Sequence, residues 1–120
     1  MTHYTLTTDA GTFEGPVELA VLWKALADFD ADLYEDNFIV LEAEPPINGS
    51  LYLQSALMSD PGEAKRYVVE TRIADEDGGF CHYQWESDSL SQVQAIFADY
   101  YLRQQLPDLT DWKDITDIFK

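Results

Sequence analysis

Basic residues, cysteine and long apolar runs are all scarce in this chain, and each scarcity excludes something. Seven Lys and Arg stand against twenty-three Asp and Glu, a formal net charge of −16 over 120 residues. Nucleic acids and anionic lipid surfaces need cationic side chains to replace their counterions, so neither is an expected partner. The single Cys81 leaves no intrachain disulfide and no multi-cysteine zinc site. No stretch reaches the roughly 18 apolar residues a membrane-spanning helix requires. Met1-Thr2-His3-Tyr4 has neither the basic start nor the apolar core of a signal peptide, so a cytoplasmic location is expected.

Three Trp, seven Tyr and six Phe, within a hydrophobic fraction of 46%, mark a folding chain rather than an acidic disordered one. Its length suits one domain over residues 1–120. Tyr4–Thr8 and Thr12–Glu14 flank the turn signal Asp9-Ala10-Gly11 and read as a hairpin. Gly15-Pro16 opens a helix whose stripe is Leu19, Leu22, Trp23, Leu26 and Phe29. Asn37–Glu42 is a central-strand pattern that Pro45-Pro46 is expected to stop; Asn48-Gly49 turns the chain into a strand over Leu51–Met58.

From Arg66 to Ile73 the alternation puts Tyr67, Val69, Thr71 and Ile73 on one face and Arg66, Val68, Glu70 and Arg72 on the other. Asp75–Gly79 leads to Phe80–Glu86, where Cys81, Tyr83 and Trp85 share a face. Ser89-Leu90-Ser91-Gln92 has the form of a capping box before a helix presenting Leu90, Val93, Ile96, Phe97, Tyr100 and Tyr101, with Pro107 as its stop. Residues 110–119 suit a short last helix, with Trp112, Ile115 and Phe119 on one side and Asp108, Asp111, Asp114 and Asp117 on another. The expected fold is α+β: an antiparallel sheet of about four to six strands under two main helices, a two-layer sandwich.

Motifs for chemistry are missing. A calcium loop beginning at Asp28 has Leu33 and Ile39 where Gly and Glu are needed, and one beginning at Asp75 has Phe80 in the glycine place. Cys81 and His82 are neighbours on a strand, point to opposite faces and form no thiolate–imidazole pair. Cys81 is expected as a small buried hydrophobe, and His3 has no identifiable partner. No phosphate loop, His-Glu-x-x-His helix or nucleophile elbow is present. Glu42 and Glu70 sit inside strands and either face a cleft or lie on a solvated sheet face. No enzyme activity, cofactor or metal is expected.

What remains is surface. Phe29, Leu33 and Tyr34 are threaded through the acidic stretch 28–36, as anchors of an interface or as packing for the end of the first helix. The net charge steers a cationic partner toward the chain, or serves solubility alone.

Leu22-Trp23-Lys24-Ala25-Leu26 is followed by Asp36-Asn37-Phe38-Ile39-Val40-Leu41-Glu42, Leu51-Tyr52-Leu53-Gln54, Tyr67-Val68-Val69-Glu70, and a late helix Val93–Tyr101 running into Pro107 and Trp112. Across about residues 17–115 this order resembles the immunity proteins of bacterial polymorphic and contact-dependent toxin systems. Within them it is most similar to the first-numbered family, whose members include partners of deaminase toxins. The amino-terminal hairpin and the Asp75–Gly79 turn have no counterpart in that pattern. The resemblance implies a cytoplasmic inhibitor that occludes the active site of a cognate toxin with a basic, nucleic-acid-binding cleft. Asp30, Asp32, Tyr34, Glu35, Asp36, Asp75, Glu76 and Asp77 are then the expected toxin contacts. Two other readings stay open: an acidic nucleic-acid mimic that inhibits a DNA- or RNA-binding protein, and a small-molecule-binding α+β domain using Glu42 or Glu70.

Overall fold

The computed structural model of the chain describes residues 3–8, 11–13, 15–30, 38–57 and 66–119. Among them the order is β1 (His3–Thr8), β2 (Gly11–Thr12), α1 (Leu19–Asp30), β3 (Phe38–Ile47), β4 (Ser50–Leu57), β5 (Tyr67–Ala74), β6 (Phe80–Ser87), α2 (Leu90–Arg103) and β7 (Lys113–Asp114), then a 3-10 turn at Thr116–Phe119. The strands form one antiparallel sheet in the order β2-β1-β3-β4-β5-β6-β7. The α+β class and the two helices agree with the sequence pattern, and the sheet has seven strands where four to six were expected. β2 is the short second arm of the expected amino-terminal hairpin, and the strand beyond six is the two-residue edge β7, too short to carry a period of its own.

The period-two pattern of β5 sorts the whole sheet. Val69 faces Ser55 on β4 and Trp85 on β6, and Thr71 faces Leu53 and Tyr83. These residues, with Leu6, Ile39 and Leu41, form the face on which both helices lie. Leu22 and Leu26 of α1 and Val93, Phe97 and Tyr100 of α2 are fully buried against it. Each such side chain contributes about 1.5–3 kcal/mol by leaving water, so one stripe per helix suffices to hold it down. Trp23, expected in the α1 stripe, lies on the flank of the helix and is 37% exposed.

Several boundaries differ from the sequence reading, each for a local reason. α1 begins at Leu19 rather than at Pro16: the Leu22 N–H closes the first turn on the Glu18 carbonyl at 3.1 Å, and the Val17 carbonyl before it accepts from the Tyr101 hydroxyl at 2.7 Å. β3 runs through Pro45-Pro46 to Ile47. Its pairing with β4 shifts register between Glu42 and Ile47, and Pro needs no partner there. α2 ends at Arg103, before Pro107, because Gln104 turns left-handed (φ 50°) and its N–H closes on the Asp99 carbonyl.

At the other end of α2, Ser89 caps Gln92 N–H at 3.4 Å. The reciprocal half of the box is redirected. Ser87 Oγ, not the Gln92 side chain, accepts the Ser89 N–H at 3.0 Å, and Gln92 Oε1 accepts from Ser87 Oγ instead.

Residues 110–119 do not form one α-helix: only Thr116–Phe119 turn, as 3-10 helix. Lys113 and Asp114 pair with Gln84 and Tyr83, and Trp112 stacks on Trp85 with ring centroids 6.0 Å apart. Edge pairing to β6 outweighs the helical spacing of Trp112, Ile115 and Phe119. The aspartates serve the turns: Asp108 Oδ1 accepts from Thr110 N–H at 3.0 Å and from the Thr110 hydroxyl, and Asp114 Oδ1 accepts from Thr116 N–H and its hydroxyl. No helix of the described residues is long and apolar enough to cross a membrane.

Candidate functional site

The sheet face opposite the helices carries no helix among the described residues. In register across its middle stand Glu42 on β3, Tyr52 and Gln54 on β4, Glu70 and Arg72 on β5, and His82 and Gln84 on β6. β5 delivers Glu70 and Arg72 to this face two residues apart, and β6 sets His82 directly across from Arg72.

His82 is the residue whose place the sequence conceals. It is only 1% exposed, on a face that alternation marks as solvated. Its Nε2 lies 2.9 Å from Glu70 Oε1, and its Nδ1 accepts from Arg72 Nε at 3.2 Å. Gln54 Nε2 donates to Glu70 Oε2 at 3.0 Å. The Arg72 guanidinium also covers the Phe80 ring, 4.0 Å from its centroid. Beside it, the Tyr52 ring stands 6.3 Å from the imidazole. Burial pushes the Tyr52 phenol above its ordinary range; Arg72 opposes that shift, and Glu70 and Glu42 reinforce it.

The backbone of His82 is held as firmly as its ring. Its N–H donates to Thr116 Oγ1 at 2.9 Å and its carbonyl accepts from Ile115 N–H at 2.8 Å, which fastens the C-terminal segment along the edge of β6. Both ring nitrogens of His82 are engaged and the ring is out of water. The cluster braces the face. Glu70 is therefore not a fully solvated carboxylate: its side chain is 17% exposed and it is the acceptor that orients His82.

Glu42 has a different setting. It lies in a cleft of about 320 Å³ lined by His3 and Thr5 of β1, Glu42, Ala43, Glu44 and Pro46 of β3, and Leu51 of β4. Leu51 sits where the β4–β5 register shifts between Ser50 and Tyr52, and it is 37% exposed. Among the described residues neither Glu42 nor Glu44 has an ion-pair partner.

Asp75, Glu76 and Asp77 occupy the exposed β5–β6 turn, closed by Asp75 N–H to the Gly79 carbonyl at 2.9 Å. The Ala74 N–H donates to the Gly49 carbonyl at 2.8 Å, so this turn adjoins the Asn48-Gly49 turn, at the same end of the sheet as the cleft. Asp30 is the last residue of α1. Asp32, Tyr34, Glu35 and Asp36 lie outside the described residues. Phe38, the next described residue, is level with Val68, at the opposite end of the sheet from the Asp75–Asp77 turn, about 23 Å away along β5.

Cys81 is half-buried at the end of β6 rather than sealed in the core. Among the described residues no group of three or more His, Cys, Asp or Glu is arranged to hold a metal ion. Compared with known proteins, the chain matches no family model, no curated protein and no solved structure.

Proposed function

We propose that this protein is an immunity-type inhibitor that binds a basic toxin domain, one acting on nucleic acid, and occludes its active site. The observation that carries the reading is the sheet face that no helix covers among the described residues, braced by Glu70, Arg72 and His82 and edged at one end by Glu42, Glu44, Asp75, Glu76 and Asp77. A pre-organised face loses little freedom on docking, and Glu42 and Glu44, without ion-pair partners among the described residues, complement the cationic cleft that a nucleic-acid-directed enzyme needs. The net charge of −16 adds long-range steering to the same partner. The resemblance of the sequence pattern over about residues 17–115 to immunity proteins supports the choice of class.

The test is co-expression with the toxin whose gene adjoins its own. Restored growth, and a purified complex that weakens as salt rises, are the expected results. Cells that die despite soluble inhibitor overturn the proposal.

A further inference from the structure

We infer that the cleft between β1 and the Glu42–Leu51 end of the β3–β4 hairpin receives an arginine side chain of the basic partner. This deepens the proposed function and rests on it for the partner, while the chemistry of the cleft stands on its own geometry. Three features select the occupant.

The first is charge. Glu42 and Glu44 pair with Thr5 and His3 in regular register, so both carboxylates rise from the same face two residues apart, about 6.6 Å along the strand. A planar guanidinium presents N–H donors along more than one edge and bridges two acceptors so spaced; an ammonium is a point charge and satisfies them less well. The second is the apolar wall. Pro46 and Leu51 line the same space, and they flank the path of a three-methylene stem, which buries against apolar surface while its head stays polar. The third is availability. Glu70 and Glu86, on the same face, are committed to Gln54 and His82 and to Arg66 respectively, whereas Glu42 and Glu44 have no ion-pair partner among the described residues.

The inference is tested on the full chain by following backbone amide NMR shifts during titration with N-acetyl-arginine N-methylamide. The lysine derivative and the uncharged citrulline derivative are run beside it. Saturating shifts centred on Thr5, Glu42, Glu44 and Leu51 are expected, with affinity lower by about tenfold or more for citrulline and for the double variant Glu42→Gln/Glu44→Gln. Both glutamates are exposed, so that variant keeps its melting temperature. Citrulline binding equally well overturns the inference, as do shifts spread over Asp75–Asp77 and the C-terminal aspartates that the double variant leaves unchanged.

The partner toxin domain is then titrated against the same variant. A loss of about tenfold in affinity supports the inference. Unchanged affinity overturns it while leaving the inhibitor reading intact. Arginine binding in the cleft with no toxin binding by the wild-type chain overturns the inhibitor reading instead, and with it the assignment of a partner's arginine.

Discussion

Arg72 Nε donates to Nδ1 of His82 across 3.2 Å. Because a guanidinium N–H is always a donor, Nδ1 is the acceptor, and the proton of the neutral ring resides on Nε2, facing Glu70 Oε1 at 2.9 Å.

This arrangement ranks the variants of Glu70. Glu70→Ala removes the acceptor from a ring that is 1% exposed, and costs about 1–3 kcal/mol of unfolding free energy. Glu70→Gln keeps a carbonyl oxygen for Nε2 and costs less. Urea denaturation gives the order, and long-range nitrogen–proton NMR reads the tautomer. A proton found on Nδ1 sinks the assignment.

Alternation in 66–73 and 80–86 was enough to sort both faces of the central strands, and Asn48-Gly49 and Ser89 marked a turn and a cap that the fold uses. What alternation cannot convey is that Glu70, Arg72 and His82 neutralise one another's polarity across two strands. Each alone reads as a solvated side chain, and only their registration makes a hydrogen-bonded cluster with His82 buried in it. The same limit applies to residues 110–119, where Trp112 and Ile115 suit a helix until the free edge of β6 offers Lys113 and Asp114 hydrogen bonds. Of the candidate contacts, Asp75, Glu76 and Asp77 were legible as a turn. The Glu42–Glu44 cleft was not, because it depends on β1 lying beside β3 rather than in a separate hairpin.

Tyr100 ties α2 to the sheet through a buried hydroxyl relay. Its OH lies 2.9 Å from Ser50 Oγ, which lies 2.7 Å from Thr71 Oγ1. Burial pushes the Tyr100 phenol up to about 12, opposed by its bond to Ser50. Between its unfolded value near 10 and about 12 the folded state holds a proton that the unfolded state has lost, so stability falls as pH rises through that window. Two pH units correspond to about 2–3 kcal/mol. Tyr100→Phe is expected to cost about 1 kcal/mol at neutral pH and to flatten this alkaline decline. An equally steep decline in the variant contradicts the assignment.

Gly49 and Gly78 separate two costs that a turn glycine avoids. Both have positive φ, 88° and 85°. A Cβ at Gly49 meets Ile73 Cγ2 at 3.1 Å, whereas one at Gly78 meets nothing within 4 Å. Gly78→Ala therefore carries the backbone term alone, about 1–2 kcal/mol. Gly49→Ala adds a displacement of Ile73 next to the Ser50 relay, and is expected to exceed it by about 1 kcal/mol. Thermal unfolding of the two variants side by side decides the point; equal losses show that Ile73 yields freely.

The two acidic features at the same end of the sheet make different contributions to binding, and kinetics distinguishes them. Asp75, Glu76 and Asp77 are exposed on a turn and act at a distance. Reversing all three to lysine is expected to lower the association rate with the basic partner by about tenfold or more at low ionic strength. Dissociation should be little changed. At 1 M salt, where the screening length is about 3 Å, that difference should vanish. Glu42 and Glu44 act at contact inside the cleft, so their replacement by glutamine raises the dissociation rate and keeps most of its effect at high salt. Stopped-flow association and surface-immobilised dissociation give the two rates. If the turn variants instead change only the dissociation rate, the turn is itself part of the contact and the steering account of it is wrong.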